Sequence, residues 1–185
     1  MTIGVDVLAG DLELKTASFS LAPLRWADGP DLLTHFSDPE VTQWLDIDPL
    51  EDLEEAEGIV AWARTALAEE RGVRWAIRDA DGDFVGTCGF NAIVLVRGSR
   101  GEIAYDLARP WWGQGVMAEI MPLILDFGFQ RLRLRRLEAL VTPGNARSCR
   151  LLERHGFQRE GLLRDWGHWR GRFWDQVVYG RLSDI

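Results

Sequence analysis

The chain has 185 residues, 46 % of them hydrophobic and 27 % charged, a composition that sets disorder aside and is read here as a single domain over residues 1–185 with a sizeable core. Its formal net charge of −8 would repel a phosphate backbone, so no nucleic-acid partner is expected, whereas a basic acceptor suits that field. Cys88 and Cys149 form no CxxC pair, and no apolar stretch is long enough to span a bilayer, so reduced thiols, a cytoplasmic location and no membrane are expected.

Residues 1–10 lack a basic n-region, and their short apolar run is broken by Asp6, so no signal peptide is expected. Residues 12–24 alternate loosely between apolar and polar and predict a first strand. Residues 28–44 and 53–70 read as helices, the second with Ile59, Trp62, Ala63 and Ala66 on one stripe. Residues 73–78 and 84–96 read as strands joined by the Asp79-Ala80-Asp81-Gly82 turn, and residues 102–107 as a fourth strand. A glycine loop then opens a helix over residues 115–131. A fifth strand follows at 136–141 and a helix at 145–155, closed by Gly156. Residues 157–166 and 173–182 make a final hairpin around Arg170-Gly171. This order predicts an α/β fold in which a mixed sheet of about seven strands carries helices on both faces.

Two segments carry candidate chemistry. The first is Trp111-Trp112-Gly113-Gln114-Gly115-Val116-Met117, between a strand and a helix. A helix N-terminus presents unpaired N–H groups and partial positive charge, and glycines let a phosphate approach closely, so a pyrophosphate is a natural ligand there. A tight strand-to-helix turn would use the same residues. The loop is neither a Walker A sequence nor a GxGxxG, because Ala118 occupies the third glycine position.

The second segment runs Val141-Thr142-Pro143-Gly144-Asn145-Ala146-Arg147-Ser148, then Leu151-Leu152-Glu153-Arg154-His155-Gly156-Phe157, then Glu160-Gly161-Leu162-Leu163-Arg164-Asp165. It resembles the GCN5-related N-acetyltransferases (GNAT), and within them the RimJ/RimL branch of ribosomal-protein N-terminal acetyltransferases. The loop from Trp112 to Glu119 and the segment Glu102-Ile103-Ala104-Tyr105 resemble further motifs of that branch.

The resemblance implies a GNAT fold splayed between the fourth and fifth strands, and acetyl-CoA as the acyl donor. It implies that Trp112, Gly113, Gln114, Gly115, Val116 and Met117 hold the pyrophosphate, chiefly by backbone N–H groups. Asp106 and Leu107, at the end of the splayed strand, would bond the pantetheine, as would Asn145. Ser148 would protonate or stabilise the leaving thiolate, and Glu102 would steer or deprotonate the amine. The chemistry agrees: the amine must lose a proton, the oxyanion needs a donor, and no covalent nucleophile is required.

Two positions depart from the family pattern. Leu152 stands where many members place a tyrosine general acid, which shifts weight to Ser148. Pro110 stands where many have Arg or Gln, so the loop must work by backbone amides. The expected acceptor is a primary amine, either a protein N-terminal α-amine or a small molecule such as an antibiotic or polyamine. A non-catalytic acyl-CoA-binding module is the rival of another class.

Trp44, Trp166 and Trp169 are expected to line the acceptor groove, against the alternative that they fill the core. Glu102, Ala104 and Asp106 share one face of a regular strand, a parity that a bulge in that strand would shift. The three histidines make no metal-ligand spacing with cysteine, so no metal is expected, and His155 lies where positive charge suits a helix C-terminus. The run from Arg131 to Arg136 reads as a solvated face. The edge strands of the final hairpin, and pairing among related enzymes, make a homodimer the expected assembly.

Overall fold

The computed structural model describes residues 5–184. After a short helix α1 (Val5–Leu8), eight strands form one sheet in the order β1-β2-β3-β4-β5-β6-β8-β7. They are β1 (Leu14–Lys15), β2 (Ser20–Pro23), β3 (Val73–Arg78), β4 (Phe84–Val94), β5 (Arg100–Leu107), β6 (Arg136–Val141), β7 (Gln158–Trp169) and β8 (Arg172–Leu182). The expected first strand is therefore two short ones. Thr16 Oγ1 accepts from the amides of Ser18 and Phe19 and turns the chain between them.

The expected helix over residues 28–44 is also divided, into a 3-10 turn (Trp26–Asp28), α2 (Gly29–Phe36) and α3 (Pro39–Thr42). Pro39 cannot donate to a preceding turn, and Asp38 before it is extended and caps α3 by accepting from Glu40 N at 3.0 Å. Trp44 thus lies on a loop and does not end a helix. α4 (Leu53–Ala68) starts at Asp52, whose side chain accepts from Glu55 N at 3.0 Å. α5 (Val116–Asp126) runs into a π-helical turn (Phe127–Arg131), and α6 (Ala146–Arg154) ends where Gly156, at φ 79°, leaves the helix.

Two apolar layers flank the sheet. On one face Trp75, Phe90 and Phe127 meet edge-on or tilted beneath α5, with Leu152 of α6 in the same cluster. On the other, Leu32 of α2 and Val60 of α4 pack with Ala76 of β3. Alternation along β3 and β5 assigns each side chain to one layer.

One register feature creates the site. β5 and β6 are parallel neighbours and pair only from Arg100 to Glu102 with Arg136 to Glu138. Past Glu102 the two strands separate, while β5 stays on β4 and β6 stays on β8. The bulge lies at Asn91 of β4, between the pairs Phe90–Ile103 and Ala92–Glu102, so β5 keeps its regular parity.

Candidate active site

The opening between β5 and β6 continues into a cleft of about 790 Å³, walled by the glycine loop on one side and by α6 on the other. Gly113 and Gly115 both have positive φ, 74° and 80°, which favours glycine, and Gly115 is the N-cap of α5. A Cβ on either would meet no atom within 4 Å, so the turn borders open space at the helix N-terminus, where an anion is favoured. Val116 and Met117 line the same cleft. The side chain of Gln114 turns back and donates to the Pro110 carbonyl, which ties the loop to the 3-10 turn (Arg109–Trp111). Gln114 can therefore serve only through its backbone. Glu119 braces the far side by accepting from Ser18 N at 3.0 Å, a structural reason for the acidic residue of this motif.

Trp112 is fixed by its indole N–H, which donates to the Leu107 carbonyl at 2.7 Å, and the Arg147 guanidinium sits 4.9 Å above its ring. Leu107 and Asp106 line the cleft, but the Asp106 side chain is buried and committed elsewhere. It accepts from His35 Nε2 at 2.7 Å, Thr87 Oγ1 at 2.8 Å, Thr87 N at 3.1 Å and the Arg74 guanidinium. Burial alone would raise its pKa, but Arg74, His35 and Thr87 hold the carboxyl below its ordinary range. Sequence reasoning missed this network, because His35, Arg74 and Asp106 lie on three elements joined only by the sheet. It pins the end of β5 from behind, so any role of Asp106 toward a ligand falls to its backbone.

Asn145 caps α6, its Oδ1 accepting from Ser148 N at 3.2 Å, which settles the first turn of α6 against the cleft. Ser148 Oγ lies 2.7 Å from the Tyr105 hydroxyl, and both residues line the cleft. Burial pushes the Tyr105 phenol up, so it keeps its proton at neutral pH. Tyr105 carries no role in the sequence reading. Its alternation with Ile103, on the apolar face of β5 beneath α6, was the available signal. Leu152 is fully buried and offers the cleft nothing.

Glu102 sits at the closed end of the opening, on the opposite face of β5 from Tyr105. Burial raises its pKa first, and Glu138 and Asp46 raise it further, against a lowering by Arg100. A carboxylate so shifted is a better proton acceptor than an ordinary one. Glu102 does not line the cleft that holds Ser148.

Of the three tryptophans, Trp44 lines the cleft, with its ring 3.1 Å from where a Cβ on Gly144 would stand. Its carbonyl accepts from Thr142 Oγ1 at 3.1 Å. Trp166 is 56 % exposed on β7 and Trp169 stacks on Trp174 with ring centroids 5.4 Å apart, and neither lines this cleft. The hairpin does reach the Trp44 loop: Arg170 donates to the carbonyls of Thr42 at 2.6 Å and Ile47 at 3.1 Å, strapping that loop to the hairpin tip.

The remaining candidates are structural. Cys88 is buried and its thiol is pushed up to about 12. Cys149 is half-buried against the main core cluster. The expectation for His155 is corrected: burial and nearby Arg181 lower its pKa, and the cations at that helix end are Arg154, in the last turn, and Arg181, which donates to the His155 carbonyl. Among the described residues no cluster could hold a metal ion and no helix is long and apolar enough to cross a membrane. Leu132 and Leu134 are buried, while Arg131 donates to Asp11 O at 2.6 Å and Arg136 pairs with Glu160.

The site thus combines a parallel strand pair that opens halfway, a glycine turn at the mouth and a hydroxyl pair within. The family described as Acetyltransferase (GNAT) domain matches residues 19–158, and the chain belongs to that family, an N-acetyltransferase of RimJ/RimL-like architecture. It is 38 % identical over 172 residues to the uncharacterised N-acetyltransferase p20 of Bacillus licheniformis, covering 92 % of this chain and 96 % of the relative. It is 32 % identical over 167 residues to the uncharacterised N-acetyltransferase YoaA of Bacillus subtilis, covering 90 % and 94 %. Among solved structures, RimL, a ribosomal L7/L12 alpha-N-protein acetyltransferase in complex with coenzyme A, superposes with a TM-score of 0.81 over 91 % of this chain and 96 % of that one, at 21 % identity.

Proposed function

We propose that this enzyme moves the acetyl group of acetyl-CoA to a primary amine by direct attack, and that the amine is the α-amino group of a protein N-terminus. The observation that carries the reading is the arrangement about β5. Ser148 and Tyr105 meet on one face, Glu102 lies on the other, and past Glu102 the strand has no partner on its β6 side. An acyl group threaded through that gap meets a proton donor on the leaving-group side and a carboxylate on the side of α2 and α4.

Acetyl-CoA supplies a thioester, whose thiolate is a fair leaving group. The chain supplies position and protons. The loop amides from Gly113 to Met117 hold the pyrophosphate, and the backbone at Asp106 and Leu107, held rigid by the Arg74–Asp106–His35 network, meets the pantetheine and the developing oxyanion. Asn145 orients the α6 turn. Ser148 Oγ donates a hydrogen bond that stabilises the departing thiolate and is itself hydrogen-bonded to the Tyr105 hydroxyl. Glu102 takes a proton from the incoming amine, directly or through a water. Trp44, and the exposed rings of the hairpin such as Trp166, offer flat surfaces to the acceptor.

A protein acceptor is supported by the likeness to RimL, which acts on a protein α-amine, and by the open aromatic hairpin. The test is release of free coenzyme A thiol with matched acceptors: peptides with free and with blocked N-termini, a polyamine and an aminoglycoside. Turnover with free-N-terminus peptides alone is expected. Turnover with the small amines alone would move the substrate class, and no turnover with any amine despite tight acetyl-CoA binding would leave a binding module.

A further inference from the structure

Arg147, Arg150 and Arg154 stand at i, i+3 and i+7 of α6, on one face of the helix, and all three line the cleft. All three are exposed, and none pairs with a carboxylate among the described residues. Four arginines of the sheet, by contrast, are paired: Arg74 holds Asp106, Arg78 holds Asp28 and Asp31, and Arg100 and Arg136 hold Glu138. The only carboxylates lining the cleft are Glu40 and the already paired Asp106. In a chain of net charge −8 this wall is locally positive, a field of the sign that draws an anion inward.

The row does not serve the glycine loop. That loop presents backbone amides from the opposite wall, and Arg147 is held over the Trp112 ring beside it. With a rise of about 1.5 Å per residue, Arg150 and Arg154 lie about 4 and 10 Å farther along the helix. They line the cleft beyond the loop, where a second anionic group would meet them. On the acetyl-CoA reading given above, we infer that Arg150 and Arg154, with Arg147 at the near end, bind the 3′-phosphate of coenzyme A. That monoester carries about −1.5 to −2 charge at neutral pH. The guanidinium forks suit its oxygens. The cleft thereby distinguishes coenzyme A from its 3′-dephospho form.

The test is calorimetric titration of the full chain with coenzyme A and with 3′-dephospho-coenzyme A. The wild type is expected to bind coenzyme A about tenfold or more tightly than the dephospho form, with the steeper salt dependence for coenzyme A. Arg150→Ala/Arg154→Ala should weaken coenzyme A to the dephospho level and leave dephospho-coenzyme A unchanged, and Arg150→Glu/Arg154→Glu should reverse the preference. Both positions are exposed and unpaired, so the variants should melt as the wild type does. Equal binding of the two ligands by the wild type, or equal weakening of both by the substitutions, overturns the inference while leaving the acetyl-CoA reading intact. Failure of the wild type to bind either ligand overturns both.

Discussion

The hydroxyls of Tyr105 and Ser148 lie 2.7 Å apart across the cleft, one from strand β5 and one from the first turn of helix α6. Leu152 of α6 is buried and offers no hydroxyl. In this chain a phenol comes from the strand, and in the proposed mechanism it acts on the leaving group through Ser148. Ser148→Ala should lower kcat on the order of 10²-fold with little change in KM for acetyl-CoA. Tyr105→Phe should lower kcat by about tenfold, and the double variant should be no worse than Ser148→Ala, since the two act as one unit. Steady-state kinetics of the four proteins checks this. Independent, additive losses would make Tyr105 a packing residue.

Gly115→Glu should abolish coenzyme A binding in a protein that still folds. The substitution strains a φ of 80° and sends a carboxylate into the open space above the loop amides. Calorimetric titration reads the loss, and retained affinity would remove the loop from the site.

Glu102→Gln should reduce kcat/KM for the amine on the order of 10²-fold. The wild-type profile should fall on the acid side through a pKa above the ordinary carboxylate range, and the variant should lack that limb. Stability should move the other way. A folded pKa raised above the unfolded value of about 4.3 gives a stabilising contribution that is fully present below that value and is lost as pH rises through the folded pKa. At neutral pH the ionised Glu102, crowded by burial, Glu138 and Asp46, therefore opposes folding. Glu102→Gln should melt at or above the wild-type temperature at pH 7, and the gain should vanish in acid.

Asp106→Asn should destabilise the fold by about 3–5 kcal/mol in urea titrations at pH 7, because Arg74 would keep a buried charge without its partner. Here the folded pKa is lowered. The contribution is present above the unfolded carboxylate value of about 3.9 and is lost as pH falls through the lower folded value. The gap between variant and wild type should thus close only in strong acid.

Trp44→Ala should raise KM for the amine and leave KM for acetyl-CoA within about twofold, whereas Trp169→Ala should mainly lower the melting temperature, because its ring is stacked on Trp174. Kinetics and thermal melts on both variants separate the two roles. A rise in acceptor KM for Trp169→Ala with unchanged melting would return that ring to the acceptor surface.

Much of this protein could be read from its sequence because the signals were local. The turn at Gly113–Gly115 needs glycine for its φ, the Asn145 cap needs a side-chain oxygen three residues before Ser148 N, and the alternation along β5 sets which side chains share a face. Even the break before Pro39 follows from proline's missing N–H, although the apolar pattern across it suggested one helix. What only the tertiary structure decided were relationships between distant segments. Tyr105 meets Ser148 across 43 positions, His35 reaches Asp106 across 71, and Arg170 straps the Trp44 loop from more than 120 positions away. Nothing in the periodicity of any one element states which neighbour its face will meet. That is settled when β5 and β6 pair over three residues and then part, placing a strand phenol, a helix hydroxyl and a row of arginines around one opening.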